Sequence, residues 1–192
     1  MQITMKKLTC LTLTLMLLLA CCLTASAEEG SRILVACFSA TGNTMPLAEK
    51  VAELLGAELY EILPETPYTE DDLNWNDSDS RTSIECNDDT ARPAVAGEMP
   101  DLTRYDTVII AHPIWWGQAP KIIRTFLEAG DFSGKTLVTL CTSASSGLGT
   151  SAKTLQELLN DDSITWLESR RFPAGADERD LSDWLKTIGL LK

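Results

Sequence analysis

From Arg32 onward, short runs of consecutive apolar residues alternate with stretches whose apolar residues recur at helical spacing. "ILVACF" is followed by Leu47, Val51, Leu54 and Leu55, then by "AELYEIL". "DTVIIAH" precedes Ile122, Ile123, Phe126 and Leu127, and "KTLVTLCT" precedes a helical pattern from Ser151 to Leu159. "SITWLES" is a weaker strand, and Leu181, Trp184, Leu185 and Ile188 mark a closing amphipathic helix. Strands that are apolar at nearly every position need cover on both faces, which helices provide in a parallel sheet. The spacing therefore predicts an α/β domain with right-handed crossovers and helices on both sides. Gly56 and Gly130 stand where the first helix and the helix after Pro120 should stop.

Residues 1–27 are set apart from that pattern. "MQITMKK" and "LTCLTLTLMLLLA" form a basic segment and an apolar segment, the signature of an export signal. Ala25-Ser26-Ala27 fits ordinary signal-peptidase cleavage, whereas Leu18-Leu19-Ala20-Cys21 resembles a lipobox that would leave Cys21 lipidated. Both alternatives stay open. The apolar stretch is shorter than the roughly 20 residues of a spanning helix. The chain is thus expected to be exported, either secreted or held at a membrane surface only through a lipid on Cys21, with residues 28–192 as one domain.

Cys37, Cys86 and Cys141 are the cysteines beyond Ala27, an odd number that leaves at least one unpaired. The formal charge is −12, and loss of Lys6 and Lys7 with the leader makes the domain more acidic still. Such a surface speaks against nucleic acid as a partner. Pro64 to Arg104 breaks the alternation: it is rich in Asp, Asn, Thr and Pro and reads as a long loop rather than a helix. Loops of that length inside a domain are usually functional, and an ordered flap over the binding face is expected.

Ligands of an open parallel sheet bind beyond the carboxyl ends of its strands, so three loops matter. The first, Ser39-Ala40-Thr41-Gly42-Asn43-Thr44, offers hydroxyls, an amide and backbone N–H groups at a helix start, with no fixed positive charge. It is either an anion cradle or an ordinary turn with a polar cap. A Walker loop is excluded, because after Gly42 no Lys appears until Lys50. A tyrosine-phosphatase loop is excluded as well: Asn43 stands where the phosphate-binding Arg would be, and Cys37 belongs to an apolar run that reads as core.

The second loop, His112 to Pro120, places Trp115 and Trp116 at a strand end, where flat rings suit a flat ligand. Adjacent side chains on extended backbone point to opposite sides, so one of the two should support the core. The third loop, Thr142 to Thr150, is small, polar and glycine-rich, able to lie along the edge of a ring system.

Together "FSATGNT", "PIWWGQAP" and, less strictly, "CTSASSGLG" resemble the three flavin loops of the flavodoxin-like family, and "YTEDDLNWND" resembles the family's long segment. The resemblance runs from Arg32 to the C-terminus. It implies a five-stranded parallel sheet of order 2-1-3-4-5 with FMN at the switch point between the first and third strands. It further implies that Ser39, Thr41, Gly42, Asn43 and Thr44 hold the FMN phosphate. Pro113, Ile114, Trp115, Trp116 and Gly117 would line the isoalloxazine, and Thr142 to Gly147, with Thr142, Ser143, Ala144 and Gly147 singled out, its pyrimidine edge. His112 is given no role.

On that resemblance the chain is an exported electron-transfer flavoprotein, without a catalytic side chain or metal of its own, serving a redox protein or a small electron acceptor. An FMN-dependent NAD(P)H:quinone-type oxidoreductase and a surface binding module that has lost its flavin are the competing readings. Gly117 is expected to let the Trp116–Gly117 peptide take two orientations.

Overall fold

Strand β1, Ile33–Cys37, is an interior strand of the sheet with Leu34 to Cys37 fully buried. A computed structural model describes residues 32–192; the leader, both cleavage patterns and Cys21 lie outside them. After β1 come helix α1 (Met45–Leu55), β2 (Glu58–Glu61), the short helix α2 (Arg81–Asn87) and a single 3-10 turn (Leu102–Arg104). The chain continues through β3 (Thr107–Pro113), α3 (Lys121–Ala129), β4 (Thr136–Thr142), α4 (Ser151–Leu159), β5 (Thr165–Trp166), β6 (Arg170–Phe172) and α5 (Glu178–Thr187).

The sheet order is β2-β1-β3-β4-β5, all parallel, as the resemblance implies. The fifth position is split. β6 also pairs with β4, at Leu140 to Thr142, and between the two short strands the Ser169 hydroxyl accepts the Thr139 amide at 3.1 Å where a ladder carbonyl would otherwise do so. That interruption explains why "SITWLES" carries only a weak strand pattern.

Period-2 alternation sends the strand residues to two separate cores. Leu34, Ala36, Val108 and Ile110 pack on one face with Ile122, Ile123, Phe126 and Leu127 of α3 and Leu155 of α4. Val35, Cys37, Ile109 and Ala111 pack on the other with Leu47 and Val51 of α1 and with Leu181, Trp184 and Leu185 of α5. Cys37 is core, and burial, reinforced by Glu61 and Glu49, pushes its thiol up to about 12.

The glycines expected to stop helices do so by different means. Gly56 takes a left-handed φ of 59°, and Ala57 donates to the Ala52 carbonyl at 2.8 Å, the usual αL termination. Gly130 is extended instead, and it lacks a side chain because a Cβ there would lie 2.6 Å from Leu102 Cδ1 and 2.8 Å from Phe132 Cε2.

The segment Pro64 to Arg104 is not wholly a loop. It contains α2, started by Ser80, whose hydroxyl accepts the Ser83 amide. Seven residues reading RTSIECN are too few and too polar to show a helical period. The segment's ends are tied together by a bridge between Pro64 and Val95, with Glu65 donating to Ala94 and Ala96 to Leu63. It is therefore an ordered insertion between β2 and β3. Among the described residues no helix is long and apolar enough to cross a membrane.

Candidate functional site

β1 and β3 are neighbours in the sheet, and the helices that follow them, α1 and α3, pack on opposite faces. The loops leaving these strands must therefore part, opening the crevice that such a switch point produces. A cavity of about 460 Å³ lies there, lined by Thr41 of the first loop, Ile114, Trp115 and Trp116 of the second, and Ser145 and Ser146 of the third. Leu73, Trp75 and Thr82 of the insertion complete its wall. The volume falls within the ~300–1,000 Å³ of small-molecule sites.

In the first loop, Gly42 has φ 75°, which turns the chain sharply and leaves Thr41, Gly42 and Asn43 exposed. Asn43 Nδ2 donates to Thr41 Oγ1 at 3.0 Å. The cap of α1 comes from an unexpected residue. Thr44, at the N-cap position, has helical backbone angles and its side chain does not cap; Ser39 Oγ accepts the Thr44 amide at 3.0 Å and the Met45 amide at 3.2 Å. The Thr44 hydroxyl is buried and bonded to the equally buried Thr142 hydroxyl at 2.8 Å, joining the roots of the first and third loops. Ser39 also lines a second, smaller cavity of about 160 Å³ beside Glu61 and Tyr68.

The second loop separates its two tryptophans. Trp115 is wedged edge-on between Phe38 and Tyr68, with ring centroids 5.6 Å from each, and Trp116 is 47% exposed at the cavity. Trp116 and Gly117 have φ of 48° and 77°, and Trp115 and Gln118 exchange amide-to-carbonyl bonds of 3.0 Å in both directions. This is a type I′ turn, in which both central residues need positive φ. Turning the Trp116–Gly117 peptide over would convert it to type II′, whose first central position belongs to glycine. Trp116 occupies that position, so the structure opposes the second orientation that Gly117 alone permits.

The third loop is tied down where it leaves β4. Ile114 donates to the Thr142 carbonyl at 2.9 Å, Ser143 to the Phe172 carbonyl at 3.2 Å, and Ser146 to the Ser143 hydroxyl at 2.9 Å. Beneath it lies His112, wholly buried. Its Nδ1 sits 2.9 Å from the Pro113 carbonyl, which can only accept, so Nδ1 carries a proton and Nε2 faces Ser151 Oγ at 3.3 Å and Cys141 Sγ at 3.5 Å. Burial works against the imidazolium, yet the adjacent Cys141 sulfur and the Pro113 carbonyl leave His112 above its ordinary value. His112 thus fastens β3 to β4 and to the start of α4.

Of the residues singled out from the sequence, Thr41, Ile114, Trp115 and Trp116 line the main cavity. Gly42 and Asn43 are exposed beside Thr41, and Ala144 and Gly147 are exposed on the third loop. Pro113, Gly117 and Ser143 are half-buried, and Thr44 and Thr142 form the bonded pair below. Ser145 and Ser146, inside the Thr142 to Gly147 stretch expected at the ring edge, also line the cavity, whereas Leu73, Trp75 and Thr82 line it without having been singled out as site residues. Trp75 had no periodicity to place it.

The profile of the flavodoxin family matches residues 32–188. The chain belongs to the flavodoxin family. Among solved structures, one from Bacteroides eggerthii, assigned to the flavoproteins, is 44% identical, covering 82% of this chain and 98% of that one with a TM-score of 0.77. Another from Bacteroides uniformis, assigned likewise, is also 44% identical, covering 82% and 99% with a TM-score of 0.76. A Lactobacillus acidophilus flavoprotein in complex with FMN shares the fold at 24% identity, covering 80% of this chain and 98% of that one, with a TM-score of 0.61. No curated protein sequence was similar enough to count as a relative. Among the described residues no group of His, Cys, Asp and Glu is arranged to hold a metal ion.

Proposed function

We propose that this flavodoxin-family protein binds FMN at the switch-point cavity and serves as an exported electron-transfer protein. The observation that carries the reading is that one cavity joins the amide-rich first loop to an exposed indole and a serine-lined edge. These are the three surfaces that a phosphate, an aromatic ring system and a heterocycle edge need. The flavin, when bound, supplies the redox chemistry; the chain binds it and tunes it.

Thr41, Gly42 and Asn43 stand at the N-terminus of α1, whose positive dipole end favours a phosphate without a Lys or Arg. Trp116 offers its ring face, and the backbone and hydroxyls around Ser145 and Ser146 offer hydrogen bonds to polar ring atoms. The acidic surface disfavours adding negative charge inside the site. The partner is a redox protein or a small electron acceptor. Export rests on "MQITMKKLTCLTLTLMLLLA", with Cys21 the lipid attachment if the lipobox is used.

Titration of the purified domain with FMN tests the reading. Quenched flavin fluorescence is the expected result, followed by little turnover when NADH or NADPH is added. Fast pyridine-nucleotide oxidation would move the protein to the quinone-type oxidoreductases, and absence of FMN binding would leave it a binding module.

A further inference from the structure

We infer that Trp75, on the insertion between β2 and β3, is a ring-binding residue that supplies the aromatic wall the third loop lacks. The inference rests on the FMN reading and assigns part of that site's affinity to a segment outside the three strand-end loops.

Trp75 is 72% exposed, more than Trp116, although both line the same cavity. A large indole left in water is ordinarily found on a mobile or binding surface. Here the backbone around it is held on both sides. Asn74 donates to the Asp71 carbonyl at 3.2 Å, Asp77 donates to the Asn74 carbonyl at 3.0 Å, and the Asn76 amide donates to Asn74 Oδ1 at 3.2 Å. Upstream, the Asp72 carbonyl takes both the Thr82 amide at 3.1 Å and the Thr82 hydroxyl at 2.6 Å. An exposed ring on a fixed backbone is pre-organised: little chain entropy remains to be lost when something stacks on it.

The insertion itself is anchored by contacts that owe nothing to a ligand. Arg81 lies over the Tyr68 ring at 4.1 Å and pairs with Glu85, which also accepts the Tyr68 hydroxyl at 2.7 Å. Lys121, buried in α3, reaches Asp89 at 2.9 Å, and Arg92 holds Glu128 at 2.6 Å. Trp75 is therefore presented to the cavity by the insertion's own architecture. From the third loop, Ser145 and Ser146 line the cavity, and they can hydrogen-bond a ring edge but have no π face to stack on it.

Removing a residue that binds the ring and not the phosphate weakens every flavin by the same factor. The test compares wild-type, W75A and W75F proteins with FMN and with riboflavin, reading dissociation constants from flavin-fluorescence quenching and the visible spectrum of the bound flavin. W75A is expected to weaken both ligands by about 10- to 100-fold, the range of one lost stacking contact. W75F should stay within about 3-fold of wild type, since a ring face is retained. If W75A binds both flavins within about 3-fold of wild type, or loses FMN alone, the assignment of Trp75 is overturned while the FMN reading stands. If the wild-type protein binds neither flavin, the FMN reading itself is overturned. The W75F protein and the melting temperatures of both variants separate a lost contact from a lost fold.

Discussion

The Gly117 carbonyl accepts the Thr150 amide at 2.9 Å, and Gly149 beside it has no room for a side chain: a Cβ there would lie 2.1 Å from that same oxygen. The type I′ turn carrying Trp116 is thereby buttoned to the third loop, so two walls of the cavity are set by one contact. Gly149 also has φ 60°, so G149A combines a backbone clash with a strained conformation. It should cost about 1–3 kcal/mol and weaken FMN binding. G147A is the control: a Cβ at Gly147 meets nothing within 4 Å, and its stability should change by less than about 0.5 kcal/mol. Urea titration of both variants checks the pair.

Thr44 and Thr142 share one buried hydrogen bond across 98 positions of sequence. Removing either hydroxyl leaves the other without this partner, so T44V and T142V should each lose about 1–3 kcal/mol. The double variant should lose less than the sum, because the second substitution removes a group already stranded. A double-mutant cycle on unfolding free energies measures this coupling.

Acid should loosen the insertion. Hydrogen bonds from Thr69 hold the Asp72 carboxyl below its usual range, those from Thr90 do so for Asp88, and the Lys121 ammonium does so for Asp89. A carboxyl depressed on folding contributes stability that is present above its unfolded value, near 3.8, and is lost as pH falls through the lower folded value. Stability should therefore be flat in these groups from neutrality to about pH 5 and fall below about pH 4. Amide exchange across residues 64–104 at pH 3.5 and pH 7, normalised for intrinsic rates, would show the loss there if the assignment is right.

The three cysteines of the described residues are all unpaired and differ in access. Cys37 and Cys141 are fully buried, whereas Cys86 is half-buried against Gln118, whose Nε2 donates to its sulfur at 3.0 Å. Burial raises Cys86 above its ordinary value, so even it should react sluggishly. Iodoacetamide at pH 8 should modify Cys86 alone in the native protein and all three in urea, as read by mass spectrometry of peptides.

On the FMN reading, the acidic surface lowers the potential of the step that makes the bound cofactor most negative. Raising the salt from 0.05 to about 0.5 M shortens the screening length severalfold and should move that potential upward. A potential that does not respond would mean that groups inside the cavity, rather than the surface, set it.

Sequence alone determined whatever depends on neighbours along the chain. Periodic apolar residues marked β1, β3, β4 and the helices beside them, because a strand buried on both faces or a helix with one apolar stripe leaves that pattern in any window of ten residues. The three strand-end loops followed, since strand direction in a parallel sheet places them together. Tertiary structure alone decided what depends on residues far apart. Gly130 is glycine because Leu102 and Phe132 press on it, Thr44 turns inward because Thr142 meets it, and the fifth strand is broken where Ser169 enters the ladder. Trp75 reaches the cavity only because Asp72, Thr82 and the ion pairs on α3 hold the insertion there. None of these contacts has a local period, so none could be read before the chain was folded.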